Sequence, residues 1–380
     1  MDSRPWEWID TAAGVAALAS DIEKEKIIGL DTESDSFHHY QEQVCLVQVS
    51  TKGKDYLVDP IAAKDLSPLA VPLGERKREV ILHGADYDIV CLKRDFGIQF
   101  TRIFDTVLAA QLLGYPATGL SALIERHFGV KVTKQHQRDE WYRRPLSESQ
   151  IRYALTDTRY LLPLRDLIRA ELVAAHRLSW AEEEFEILTR REWTREPFQP
   201  EHFWKIRGVR DLSRREQAIL RELAVARDIR SKMANRPPFK VIADHALIAV
   251  AKARPVSEAD LKKVRGMSPL MIRRLGDDLL QSVHRGLAVP EKDLPLAPRG
   301  ERRPGDPAAN KRLDALKEWR RKKALALNLD PGVLAPQSTL QALARSGAGT
   351  MEDLEAITAV TRWRIHEFGP EWVALMNPAG

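Results

Sequence analysis

A gap-free shift of 93 positions lays the part of this chain beyond residue 210 onto itself. Leu220 falls on Leu313, Leu223 on Leu316, Arg227 on Arg320 and Pro238 on Pro331. The same shift puts Leu247 on Leu340, Asp260 on Asp353, Leu261 on Leu354, Ile272 on Ile365 and Gly276 on Gly369. Matches at spacings of three, with glycine and proline at equivalent breaks, describe one helical unit used twice. Between the copies runs G-L-A-V-P-E-K-D-L-P-L-A-P-R-G-E-R-R-P-G-D-P, whose five prolines favour an extended, semi-rigid linker.

The first 170 residues follow another pattern. Strand-like runs (K-I-I-G-L, V-C-L-V-Q-V, D-Y-L-V and E-V-I-L-H-G) give way to helical spacing at about 85–95, 105–113, 119–128 and 148–172. This order predicts a mixed sheet with helices packed over it. Ser147 with Gln150 three residues on forms a capping box and sets the last helix start near 148. A helix and then a connector fit 173–210, where W-T-R-E-P-F-Q-P interrupts. The expected architecture is α/β plus all-α. It has an α/β domain at 1–175, a connector at 176–210, a helical domain at 211–289, the linker at 290–310 and a second, divergent helical domain at 311–380.

Charge divides along the same lines. Residues 1–210 carry a net −4 and residues 211–380 a net +9, within the total of +5. Cation-binding chemistry in front and polyanion holding behind is one reading, and solvated basic helix faces are the other. The start of the chain shows no secretory signal and no run is long enough to span a membrane. Cys45 and Cys91 lie in apolar segments and read as core residues. A cytoplasmic monomer with no obligate protein partner is the expectation.

The sharpest local feature is I-I-G-L-D-T-E-S at 27–34. Side chains at i and i+2 of a strand share a face, so Asp31 and Glu33 stand side by side. Either a positive group belongs there, or the strand has ended and water solvates both acids. Two further sites carry acids beside apolar residues. H-G-A-D-Y-D-I-V-C-L sets Asp86 and Asp88 at a helix start, and I-R-Y-A-L-T-D-T-R-Y-L sets Tyr153 and Asp157 one helical turn apart. Taken singly, each has a plain structural reading: Asp86 as a helix N-cap, Asp157 paired with Arg152 or Arg159, Tyr153 as a packed aromatic.

Together these words resemble the DEDD superfamily of 3′→5′ exonucleases in its tyrosine branch, and within it the ribonuclease D family. D-T-E (Asp31, Glu33), H-G-A-D-Y-D (Asp88) and Y-A-L-T-D (Tyr153, Asp157) match its three motifs. Q-V-C-L-V-Q-V, F-D-T-V-L-A-A-Q-L-L-G-Y and W-Y-R-R-P-L-S-E-S-Q agree between them. The repeat resembles two helicase-and-ribonuclease-D C-terminal (HRDC) domains. The second is the poorer match, with Gln337 in place of Asp244 and the bulk of Trp319 and Trp363. The resemblance implies a ribonuclease H-like exonuclease domain followed by two helical bundles. It implies Asp31, Glu33, Asp88 and Asp157 as ligands of two divalent cations, Mg²⁺ or Mn²⁺, with Asp31 bridging, Glu33 and Asp157 favouring one and Asp88 holding the other. Tyr153 is implied to orient the attacking water, and the product to be a nucleoside 5′-monophosphate released from an RNA 3′ end, transfer-RNA precursors being the expected substrate. The lack of a His/Cys cluster argues against zinc.

Lys134, Gln135, His136 and Arg138 are candidate phosphate contacts or else a polar surface loop. R-E-L-A-V-A-R-D-I-R-S-K and K-E-W-R-R-K-K are basic helices suited to tracking phosphates or to solvation. His38, His39 and His83 read as structural. The alternatives are a DNA 3′→5′ exonuclease, since the sugar is read by its 2′-hydroxyl and not by the metal site, and a non-catalytic RNA-binding adaptor. The region 290–380 is expected to be removable, weakening RNA binding while sparing cleavage of short oligomers.

Overall fold

Six strands form one sheet in the order β1-β4-β3-β2-β5-β6 in the computed structural model, which describes residues 4–133, 135–194, 196–298 and 306–377. They are β1 (Trp6–Ile9), β2 (Ile27–Ser34), β3 (Val44–Ser50), β4 (Asp55–Val58), β5 (Glu79–Leu82) and β6 (Ile103–Asp105). β3 runs antiparallel to β2 and β4 and the remaining pairs are parallel, so the sheet is mixed, as its sequence predicts. β3, β4 and β5 are buried along their whole length, which is why they read as unbroken apolar runs. β1 is an edge strand with Trp6 exposed, and β6 has three residues, too few for periodicity to reveal.

Helices α1 (Ala12–Glu23), α2 (Pro60–Ala63), α3 (Ala70–Gly74), α4 (Asp86–Phe96), α5 (Thr106–Leu112) and α6 (Leu120–Phe128) lie between or after the strands. The single helix expected at 148–172 is two, α7 (Glu148–Arg159) and α8 (Leu161–Ala174), broken at Tyr160. Pro163 explains the break: it has no N–H to offer the carbonyl of Arg159, and its ring collides with that group. α9 (Leu178–Thr189) follows.

The α7–α8 junction crosses β2 at Gly29. A Cβ there would stand 3.1 Å from the Thr158 carbonyl oxygen and 3.2 Å from Leu162 Cδ1. Only glycine lets the helix pair approach this closely, and the approach brings α7 onto the end of β2.

The repeat is exact in its helix starts. α10 (Arg214–Met233), α11 (Pro238–Val241), α12 (Asp244–Ala253), α13 (Glu258–Leu261) and α14 (Pro269–Ala288) make the first copy. α15 (Pro307–Leu327), α16 (Pro331–Leu334), α17 (Gln337–Ser346), α18 (Met351–Glu355) and α19 (Arg362–Met376) each begin 93 residues later. Leu223 and Leu316, Leu247 and Leu340, and Leu261 and Leu354 are all buried. The stretch expected as a linker is partly packed, since Arg214 donates to the Leu294 carbonyl at 2.9 Å; residues 299–305 of it lie outside the described residues.

The chain forms two compact units. One comprises Asp35–Gln43 and Thr194–Arg302 and holds the first helical copy. In it, the Tyr40 hydroxyl donates to Asp228 at 2.6 Å. The other comprises Met1–Ser34, Val44–Trp193 and Arg303–Gly380, and so combines the sheet with the second copy. Trp363 stacks on Trp180 with centroids 4.4 Å apart and planes at 17°. The N–H groups of Arg362 and Trp363, at the start of α19, donate to Glu183 at 2.6 and 2.8 Å. Buried Arg364 pairs with Glu184 and donates to the Leu334 and Val333 carbonyls, both at 2.9 Å. Phe368 and Trp372 join the same apolar core as the sheet. This packing bears against the expectation that the region can be removed, because its loss would take Trp363 and Phe368 from Trp180. Among the described residues no helix is long and apolar enough to cross a membrane.

Gly29→Val is expected to lower stability by about 1–3 kcal/mol through overpacking, read as a reduced Tm. Gly53→Ala, whose Cβ meets nothing within 4 Å, serves as its control. Equal Tm values for the two variants would show that the crossing is loose.

Candidate active site

β2 delivers Asp31 and Glu33 to one face beneath α7, and its register with β3 shifts between Glu33 and Ser34, which pairs with Val44. α7 starts at the Ser147–Gln150 capping box and buries Ala154, Leu155 and Thr158. Thr158 accepts from Ser50 at 2.7 Å, so the helix is fixed to β3, and Tyr153 and Asp157 are left over the acids of β2. Carboxylate oxygens of Asp31, Glu33 and Asp157 all lie within 4.8 Å of one another.

Asp88 arrives from the first turn of α4. It is buried, and the Thr32 hydroxyl donates to it. It stands outside the three-acid cluster but close enough to Asp31 for each charge to act on the other. The turn before α4 is held by Asp105, which accepts from the N–H groups of Gly84 at 3.2 Å and Ala85 at 2.7 Å. Gly84 has φ +78°, a left-handed conformation that favours glycine. Asp86 is not the N-cap expected from the sequence: Ala85 holds that position without a side-chain bond, and Asp86 pairs with Arg191 at 3.0 Å.

Neither arginine offered to Asp157 takes it. Arg152 pairs with Glu148 and Arg159 with Asp55. Instead Asp157 accepts from the Tyr153 hydroxyl. The Tyr153 ring is held between His136, edge-on at 5.6 Å, and Trp141 at 6.0 Å. Trp141 is itself buried and donates to the His136 carbonyl at 3.2 Å.

Burial and mutual repulsion set the electrostatics. Desolvation, then the negative charge of Asp157, holds Asp31 well above the usual carboxylate range. Glu33 is raised by desolvation and by Asp31, Asp157 and Asp88, and Asp88 by desolvation and Asp31. Desolvation pushes Asp157 up to about 7 although the Tyr153 bond opposes it. Tyr153 is raised by burial and by the neighbouring acids, so at neutral pH it keeps its proton and donates. Among the described residues no lysine or arginine lines the cavity of about 380 Å³ in which Asp31, Glu33, Tyr153 and Asp157 meet. An all-oxygen, anionic donor set with no imidazole or thiolate fits a hard divalent cation.

Other sequence candidates fall elsewhere. Gln135 and Arg138 are exposed and outside the cavity lining, and Lys134 lies outside the described residues. His83 does line the cavity, with Nδ1 2.8 Å from Thr106 Oγ1. Gln137, Thr133 and Ser121 also line it. Sequence reasoning passed over these three: Thr133 and Gln137 lie in a loop, which gives no periodicity from which to read direction, and Ser121 is an unmarked polar residue in the first turn of α6. Gln48 was missed too. It pairs with Asp31 in register and is wholly buried, with neither side-chain polar atom bonded.

Residues 6–173 match the family model described as 3′-5′ exonuclease, and residues 216–283 and 309–376 each match the HRDC domain. Ribonuclease D of Desulfotalea psychrophila is 30% identical over 88% of this chain and 89% of its own. Ribonuclease D of Jannaschia sp. is 31% identical over 97% and 95%. Among solved structures, Escherichia coli RNase D, described as an exoribonuclease involved in structured RNA processing, superposes with a TM-score of 0.72. It is 26% identical, with 98% of both chains covered.

In metal-free protein, folding holds a proton on Asp157 that the unfolded chain, with its ordinary value of 3.8, releases. This stabilisation is complete below about pH 4 and disappears as pH rises through about 7. In EDTA, the Tm of Asp157→Asn minus that of the native protein is expected to grow between those limits, and added Mg²⁺ to shrink the difference. A gap independent of pH would contradict the shared burial.

Proposed function

The chain belongs to the ribonuclease D family and is a 3′→5′ exoribonuclease, and we propose that it works through two divalent cations, Mg²⁺ or Mn²⁺, on the 3′ ends of transfer-RNA precursors. The carrying observation is the convergence of Asp31, Glu33 and Asp157 within 4.8 Å with, among the described residues, no lysine or arginine lining the cavity. In this reading Asp31, Glu33, Asp88 and Asp157 hold the metals. Once bound, these supply Lewis acidity at the phosphodiester and stabilise the leaving 3′-oxygen.

The chain's own groups do the remaining work. Asp31, raised by the charge of Asp157 and itself raising Asp88, would hold a cation together with either neighbour. Glu33 shares the first site with Asp157, while Asp88, set apart and steadied by Thr32, serves the second. Tyr153 keeps its proton, is tied to Asp157 and has its ring fixed by His136 and Trp141. It therefore orients the attacking water by hydrogen bonding and takes no proton from it. Hydrolysis at the last phosphodiester frees a nucleoside 5′-monophosphate. Transfer-RNA precursors are favoured because the E. coli relative is described as acting on structured RNA.

Asp31→Asn is expected to abolish metal-dependent nucleotide release with Tm retained. The measurement uses 3′-labelled and 5′-labelled RNA and DNA oligomers with Mg²⁺, Mn²⁺ or EDTA. Undiminished turnover would remove the two-metal reading. Tyr153→Phe is expected to slow hydrolysis about 100-fold and to change RNA affinity little; equal losses in both would contradict water orientation. Failure to shorten trailer-bearing transfer-RNA transcripts, with unstructured RNA degraded, would remove the substrate assignment alone.

A further inference from the structure

Gln48 stands in β3 directly across from Asp31, so the two side chains share the sheet face that α7 covers. Its surroundings there offer its amide little to bond. Leu46 lies two residues before it on the same face and Leu57 across from it in β4, and both join Ala154 and Leu155 of α7 in one apolar cluster. The Ser50 hydroxyl, two residues after it, is already engaged, 2.7 Å from an Asp55 oxygen and 2.7 Å from the Thr158 hydroxyl. Gln48 is wholly buried, and neither Oε1 nor Nε2 has a partner. An amide can donate two hydrogen bonds and accept two, and folded proteins rarely bury one with none of them made. A leucine would fill the same place at less cost, as Leu46 and Leu57 do beside it. The cost is accounted for if the amide serves the acid next to it.

Two other acids of the site show what Asp31 lacks. The Thr32 hydroxyl donates to Asp88, and the Tyr153 hydroxyl donates to Asp157. Asp31 accepts from the Thr32 backbone N–H, and among the described residues no side chain donates to it. A carboxylate that turns oxygen toward a metal is free to swing unless a neighbouring donor fixes it, and such donors commonly set the affinity of the site. Gln48 is the uncommitted donor that register places beside Asp31.

We propose that Gln48 is a positioning residue: in the metal-loaded enzyme its Nε2 donates to the Asp31 carboxylate and holds that acid turned toward the cations. The proposal rests on the two-cation reading of the site. Opposed residues of an antiparallel pair have Cβ atoms about 4.5–5.5 Å apart, and the amide torsion of glutamine turns over a broad range. Nε2 therefore reaches an Asp31 oxygen without movement of either strand. A neutral donor suits this place. A lysine or arginine would satisfy the same carboxylate with its own charge and so compete with the metal. The amide fixes orientation and leaves the negative charge of the site to the cations.

The test follows Mn²⁺ binding by the full chain without RNA, read from loss of the free-ion electron paramagnetic resonance signal, with Tm measured in EDTA. Gln48→Met and Gln48→Leu, both apolar and close to glutamine in size, are expected to raise the Mn²⁺ Kd about 10–100-fold. In EDTA both variants should keep the native Tm or exceed it, since each removes a buried polar group that has no partner there. In hydrolysis, the Mn²⁺ concentration giving half the maximal rate should rise by the same factor, with KM for RNA unchanged at saturating metal. A native Mn²⁺ Kd in either variant overturns the role of Gln48 and leaves the metal site standing. A Tm in EDTA lowered in both variants would make the amide part of the fold itself, and the proposal falls. A native chain that takes up no Mn²⁺, or takes it up equally well as Asp31→Asn, overturns the two-cation reading instead.

Discussion

Like charges forced together without a protein cation are the condition that the catalytic unit is built to meet. Two unit charges about 5 Å apart repel by roughly 3–4 kcal/mol at an effective dielectric of 20. Whole domains are stable by only about 5–15 kcal/mol. Three acids at that separation therefore need protons or metal, and the raised carboxyls of Asp31, Glu33 and Asp157 show the protonated alternative. The surrounding fold holds them in place against this repulsion. Gly29 admits the helix crossing, Ser50 ties down Thr158, and Asp105 gathers the turn that leads to Asp88. Loosening any of these would let the acids relax apart.

Much of this was legible because strands and helices announce themselves by period, and the motifs named the acids. Asp31, Glu33, Tyr153 and Asp157 meet in one cavity, and since β2 runs on through Ser34 with both of its acids desolvated, the alternative of an ended, water-solvated strand does not hold. What was illegible shares a physical cause. β6 is too short to show a period, Gln137 sits in a loop, and Gln48 looks like any polar residue in a strand until register sets it opposite Asp31. Sequence counts cations and does not see distant partners: Asp244, Asp278 and Glu371 pair with Arg227, Arg230 and Lys323 of the basic runs from outside them.

Duplication with divergence is the other organising fact. Both copies keep the same helix starts and the same buried leucines, so the scaffold tolerated wholesale exchange of one surface. Trp363 and Arg364, bulky oddities by comparison with Leu270 and Met271, are explained by α9. Of the departures that weaken the second copy's likeness to its family, Trp363 joins it to α9, while Trp319 packs within the copy on Phe368 and Trp372.

That junction has a consequence for how the molecule is made. A ribosome releases Trp180, Glu183 and Glu184 long before it reaches Trp363, Phe368 and Trp372. At about 5–20 residues per second the delay is on the order of ten seconds or more. Throughout it, the Trp180 face of α9 waits without the ring of Trp363 that stacks on it in the finished fold. A prematurely terminated message yields a chain whose apolar core lacks Trp363, Phe368 and Trp372.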